Sequence, residues 1–130
     1  MNILNKKHFI YLAVVGLIVS LGYSYIYKNH RNIQNEEAIF IITTEQIFNE
    51  FQTNIIVANN KYLDKVIIIS GNITSIDSIK IELNNKLMSY LIENHSNSIK
   101  VGDEITIKGR CIGYDELLEI VKIDQCIILK

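Results

Sequence analysis

The chain has no proline and no tryptophan, only two cysteines and three histidines, and no acidic residue before Glu36. Each shortage closes off a class of function. Cys111 and Cys126 are not spaced C-x-x-C, which excludes a thioredoxin-type redox motif. His95 is the sole histidine after His30, and two thiolates beside it do not make a zinc site. The same lone histidine, in a polar loop, leaves Ser-His-Asp chemistry without a positioned base. No glycine-rich phosphate cradle is present. Asp64, Asp77, Asp103, Asp115 and Asp124 are scattered singly over turns, where Asp is common for backbone reasons. Glu36-Glu37 reads as part of a solvated linker rather than an acid pair. No catalytic residue, metal or cofactor is therefore expected, and the chain is not expected to be an enzyme.

The stretch without acids contains a long hydrophobic run. Residues Phe9 to Tyr27 read FIYLAVVGLIVSLGYSYIY, without one charge. At about 1.5 Å per residue such a helix covers roughly 28 Å, close to the hydrocarbon thickness of a bilayer. Tyr11, Tyr23, Tyr25 and Tyr27 crowd its ends, where amphipathic rings favour the membrane interface. Lys6 and Lys7 precede the run; Lys28 and Arg31 follow it, with Glu36 and Glu37 close behind. The positive-inside bias then predicts a cytoplasmic N-terminus over residues 1–8, a transmembrane helix over 9–27 and a domain outside the cytoplasm. A cleaved signal peptide, cut after Gly22 at a Ser20-x-Gly22 site, is the alternative and leaves the domain in the same compartment. No Cys near the end of the run offers a lipoprotein processing site.

Beyond the anchor remain about 100 residues, enough for one small domain with one core. Abundant Ile, Asn and Lys fit an AT-rich bacterial coding sequence. After Arg31 there are nine Lys and Arg against fourteen Asp and Glu, a net charge of −5. That balance disfavours a phosphate-backbone partner, which needs a basic footprint.

Residues 28–42 read as a juxtamembrane linker, and 43–130 as the domain. Thr43-Thr44-Glu45-Gln46 fits a capping box, with Thr43 as N-cap. Ile47, Phe51, Ile55 and Ala58 recur at helical spacing, predicting one helix that ends near Asn59-Asn60. From Lys65 the period changes to β-branched alternation. KVIIISGNITSI predicts a long strand with a bulge or bend at Gly71. A second strand holds Ile79, Ile81 and Leu83 on one face, a turn falls at Asn84-Asn85-Lys86, and a third strand covers Leu87 to Ile92. In the fourth, Ile105, Ile107, Gly109 and Cys111 share the inner face, and Leu117 to Leu129 makes a fifth, broken near Asp124. There is no internal repeat and no low-complexity segment. The expected fold is mainly β with one N-terminal helix: a five-stranded OB-fold barrel preceded by a single transmembrane helix, closed so that no edges are exposed, with a five-stranded SH3-like barrel as the nearest competitor.

The residues Asn54, Ala58, Tyr62, Lys65, Val66, Ile67, Ile69 and Gly71, followed by Gly102, Asp103, Lys108, Gly109, Cys111 and Gly113, resemble the bacterial tRNA_anti-like family of OB-fold proteins. The resemblance covers Thr43 to Ile128, although the third-strand segment MSYLI lacks the Cys that it leads one to expect. It implies an OB barrel related to anticodon-binding domains and often secreted or membrane-attached. It carries no catalytic or binding residue across.

On such a barrel, single-stranded nucleic acid is held by aromatic platforms in a basic groove. Tyr90 and, on a loop, Tyr114, with Lys80, Lys108 and Arg110 on outer faces, form the candidate binding set on the open barrel face. The plainer alternative is a solvated barrel surface. Asn54, Ala58 and Tyr62 read as the stripe that docks the helix on the barrel, with Asn54 satisfying a buried backbone group. Cys111 and Cys126 read either as a disulfide, which would need a bulge to bring them together, or as two buried thiols. The functional expectation is a membrane-anchored binding or assembly module of the cell envelope whose partner is a protein, a peptide or a glycan. Nucleic-acid binding is the alternative.

Overall fold

The computed structural model describes residues 3–27, 31–94 and 97–129. Lys28, His30 and His95, named in the sequence reading, lie outside the described residues. The chain divides into two compact units, Met1–Arg31 and Asn32–Lys130.

The first unit is a single helix, α1 (Ile3–Ile26). Its stretch Asn5–Ile26 is long and apolar enough to cross a membrane, by length and composition, and none of it is buried. Tyr23 and Tyr27, one turn apart, stack with ring centroids 4.3 Å apart.

The second unit runs β1 (Phe40–Thr43), α2 (Thr44–Thr53), α3 (Ile55–Tyr62), β2 (Val66–Asp77), β3 (Lys80–Leu83), β4 (Leu87–Leu91), β5 (Glu104–Asp115) and β6 (Ile120–Ile128). The sheet order is β1-β2-β3-β4-β6-β5, and β5 returns to pair with β2. Strands β2, β3, β4, β6 and β5 thus close a five-stranded barrel. Its β4–β6 pair is parallel and the other contacts around the ring are antiparallel. This is the OB-fold. β2 is long because it serves two neighbours: Val66–Asn72 pair with β5 and Ile73–Asp77 with β3. The period-2 alternation sends Ile67, Ile69, Ile73, Ile81, Leu83 and Leu87 into one core. Burying each such side chain is worth roughly 1.5–3 kcal/mol.

The expected capping box is present. Thr43 Oγ1 accepts from Gln46 N–H at 3.2 Å, and the Thr43 N–H donates to Gln46 Oε1 at 3.0 Å. The expected single helix is instead broken at Asn54, which is extended (φ −159°, ψ 104°) and caps α3 by accepting from Val57 N–H at 3.1 Å. Asn54 is exposed and satisfies no buried group; Ala58 and Tyr62 of its stripe are buried.

Other boundaries moved for local reasons. Gly71 is not the bulge: the register shift lies between Ile73 and Ser75, where Thr74 Oγ1 donates to Glu82 O. A Cβ on Gly71 would stand 2.5 Å from Thr44 Oγ1, so this glycine lets the buried N-terminus of α2 approach β2. Ile79 belongs to the turn and is exposed; β3 begins at Lys80. Asn84 and Asn85, both with φ 55°, make the left-handed turn between β3 and β4, a conformation Asn tolerates. The last hairpin turns at Glu116–Glu119, so Leu117 and Leu118 lie in the turn rather than in the fifth strand. Gln125, with φ 49°, marks the expected irregularity near Asp124.

The sheet also begins inside the segment expected as linker. β1 pairs with β2 in parallel, Phe40 opposite Ile67 through Thr43 opposite Ser70. Further upstream Ile33 is buried, outside the core cluster, and the Gln34 carbonyl accepts from Lys108 Nζ at 3.0 Å. A parallel strand pair and a docked turn depend on contacts far apart in sequence, so neither shows in local periodicity.

Candidate functional site

Lys80 and Tyr90 are direct cross-strand partners on β3 and β4. The Lys80 ammonium stands 5.9 Å from the Tyr90 ring centroid, within cation–π range. Both point outward because their neighbours Ile81, Ser89 and Leu91 point in and are buried. The parallel strand β6 extends this face. Lys122 lies opposite Met88, one step along from Tyr90. The face thus carries Lys80, Glu82, Met88, Tyr90 and Lys122.

Lys122 is held in place from below. Its ammonium donates to Asp115 Oδ2 at 2.9 Å. Asp115 in turn accepts from the N–H groups of Leu117 and Leu118 through Oδ1 at 3.0 and 3.1 Å. The Lys122 hydrogen bond and these amides hold the Asp115 carboxyl below its ordinary range, and Asp115 raises Lys122.

The other three candidates are not on this face. Lys108 and Arg110 lie on β5, separated from β4 by β6 and from β3 by β2. Lys108 secures the docked turn at Gln34. Arg110 is clamped by Asp124, with Nε to Oδ1 at 2.9 Å and Nη2 to Oδ2 at 2.6 Å, and Asp64 lies 3.7 Å from Nη1. This bidentate pairing satisfies the guanidinium within the domain. Tyr114 is in strand β5, not on a loop. Its ring stacks on Phe51 at 5.7 Å and meets Phe48 edge-on at 6.2 Å, under α2. The five-residue set therefore divides into one outward-facing pair, Lys80 exposed and Tyr90 half-buried, and three residues that build the domain. Lys122 was missed in sequence. Its outward phase between Val121 and Ile123 was readable, but its neighbours on β4 follow from a parallel pairing that was not.

A family model described as tRNA_anti-like matches residues 1–127. The chain belongs to the tRNA_anti-like family. No curated protein matches it. Among solved structures it is similar to a "putative nucleic acid-binding lipoprotein" from Klebsiella pneumoniae, at 17% identity and a TM-score of 0.53. The match covers 69% of this chain and 91% of that one. At this identity the likeness is one of fold.

In this tRNA_anti-like domain several cations pair with carboxylates of the same domain. Lys61 pairs with Glu50, Lys86 with Glu45, Arg110 with Asp124 and Lys122 with Asp115. The Tyr62 hydroxyl also donates to Glu50, at 2.9 Å, tying α3 to α2. Cys111 and Cys126 are buried free thiols, not a bridge. The bulge between Cys111 and Gly113 sets Cys111 opposite Ile123, while Cys126 pairs across to Leu91 on β4. Burial pushes the Cys111 thiol up to about 11 and Cys126 to about 12. Among the described residues no cluster of His, Cys, Asp and Glu is arranged to hold a metal ion.

Proposed function

We propose that this protein is a membrane-anchored OB-fold binding module, with α1 as an uncleaved single-pass anchor, the N-terminus cytoplasmic and the barrel outside the cytoplasm. The observation that carries the reading is α1 itself: the 22-residue stretch Asn5–Ile26 is long and apolar enough to cross a membrane, and none of it is buried. Lys6 and Lys7 near the start of α1, ahead of the uncharged run from Phe9, with acids only after it, support the orientation. The module binds rather than catalyses, and its ligand face is β3–β4–β6, where Tyr90 and Lys80 present an aromatic ring under a cation. Interleaved Glu82 and Asp115 leave that face near neutrality, which suits a peptide, protein or glycan better than a phosphate backbone. Protease applied to intact cells carrying a C-terminally tagged chain tests the arrangement. Loss of the tag, with a full-length product in the membrane fraction beforehand, is expected; a protected tag would reverse the orientation.

The Klebsiella pneumoniae lipoprotein named above motivates a second reading, single-stranded nucleic-acid binding on the same face. A salt-dependent gel shift with single-stranded DNA or RNA that disappears in K80A/Y90A would favour it over the first.

A further inference from the structure

The turn between β5 and β6 holds the most exposed large apolar side chain among the described residues. Leu117 is 96% exposed and the adjacent Leu118 68% exposed. A floppy loop would scatter two such leucines; this one fixes them. The Asp115 carboxylate receives both leucine N–H groups, Lys122 anchors that carboxylate from β6, and Glu119 closes the turn in the left-handed region (φ 53°). Beside the turn lies a shallow cleft of about 240 Å³, lined by Phe51, Gln52, Ile55, Tyr114, Glu116 and Glu119. An apolar knob and a partly apolar hollow thus sit side by side, with Glu116 and Glu119 at the rim of both.

We infer that this turn and cleft are a docking surface for a cationic amphipathic segment of another protein. Charge selects that occupant. A second copy of this chain would set Glu116 and Glu119 against the same glutamates across a two-fold interface, a like-charge contact that costs affinity. An anionic lipid surface meets the same repulsion from the rim and from a domain of net charge −5. A segment with alternating apolar and Lys or Arg residues meets neither objection. Its apolar side chains cover Leu117 and Leu118 and enter the cleft over Phe51 and Tyr114, while its cations face the rim. Because the turn backbone is already held by Asp115, docking has little backbone left to order, which favours affinity per unit of contact area. The inference does not depend on the anchor or on the β3–β4–β6 face.

The test uses the full chain in phosphatidylcholine nanodiscs and a fluorescent helical peptide of Leu and Lys, read by anisotropy against empty nanodiscs. Saturable binding is expected. L117S/L118S, which leaves every charge in place, should weaken it at least tenfold. E116Q/E119Q should weaken it at least tenfold and flatten its salt dependence. Circular dichroism melting of both variants reports that the barrel is intact. Binding of L117S/L118S equal to the parent would overturn the inference, because it would mean attraction by net charge alone. Absence of binding by the parent, concentration-dependent dimerisation lost in L117S/L118S, or tighter binding to anionic vesicles than to the peptide would also overturn it.

Discussion

Gly109 leaves no room for a methyl group in the barrel wall. A Cβ there would stand 2.6 Å from Cys126 Sγ, 2.7 Å from Ile123 Cγ2 and 2.9 Å from the Asp124 carbonyl oxygen. One of those contacts is backbone, so relief requires β5 and β6 to part. Gly109→Ala should destabilise the domain by about 3 kcal/mol, seen as a lower urea midpoint with an unchanged m-value. The neighbouring thiols supply a second prediction. Both have pKa values raised by burial from the ordinary 9.0, to about 11 for Cys111 and about 12 for Cys126. The folded state therefore keeps its thiol protons where the unfolded state loses them. Their contribution to stability is complete below pH 9 and declines as pH rises through the folded values, by on the order of 1 kcal/mol per pH unit for each ionising thiol. At pH 8 the native chain should not react with a disulfide-exchange reagent, while the urea-unfolded chain should titrate two thiols; stoichiometric native reaction would contradict the burial. At this scale strand alternation alone made Gly109 and Cys111 legible as inward residues. Tyr114 was misread because its fate is decided by Phe48 and Phe51, more than sixty positions earlier, and no local pattern carries that contact.

Between α2 and α3 the decisive residue is Asn54. It interrupts a stripe that reads as continuous, and it starts a second helix that sets Ala58 and Tyr62 on the barrel. Tyr62 then meets Phe40 of β1 edge-on at 5.1 Å and hydrogen-bonds Glu50 of α2, so one capped helix holds three elements together. Asn54→Ala removes the side-chain acceptor for Val57 N–H and should cost about 1 kcal/mol, measurable as a shift in urea midpoint. Asn54→Asp, which keeps the acceptor, should stay within a few tenths of the parent. The capping box at Thr43 was legible because all its parts lie within four residues. The break at Asn54 was not, since Asn at the end of one helix and at the start of the next has the same local appearance. The β4–β6 parallel pair, which builds the candidate face by bringing Lys122 to Met88 and Tyr90, joins strands about 35 residues apart. Only barrel closure dictates it.

For the whole molecule, the apolar helix α1 and the barrel are specified by different kinds of information. The helix is a run of composition that any reading detects, and the barrel is a period that a strand-by-strand reading detects. What joins them was taken for a linker, and the structure makes part of it domain: Ile33 is buried, Gln34 is bound by Lys108, and β1 lies along β2. A chain beginning at Asn32 should fold to the stability of the parent domain. One beginning at Thr44 loses Ile33, the β1 pairing, the Phe40–Tyr62 contact and the Thr43 cap together. Burial of Ile33 alone is worth roughly 1.5–3 kcal/mol, and removing the cap about 1 more, so the shorter chain should be weaker by several kcal/mol. In the full-length chain Ile33→Asp should reproduce much of that loss, read as a lower melting temperature. If the Thr44 chain melted with the Asn32 chain, the segment 32–43 would be a linker after all, and the fold would begin at α2.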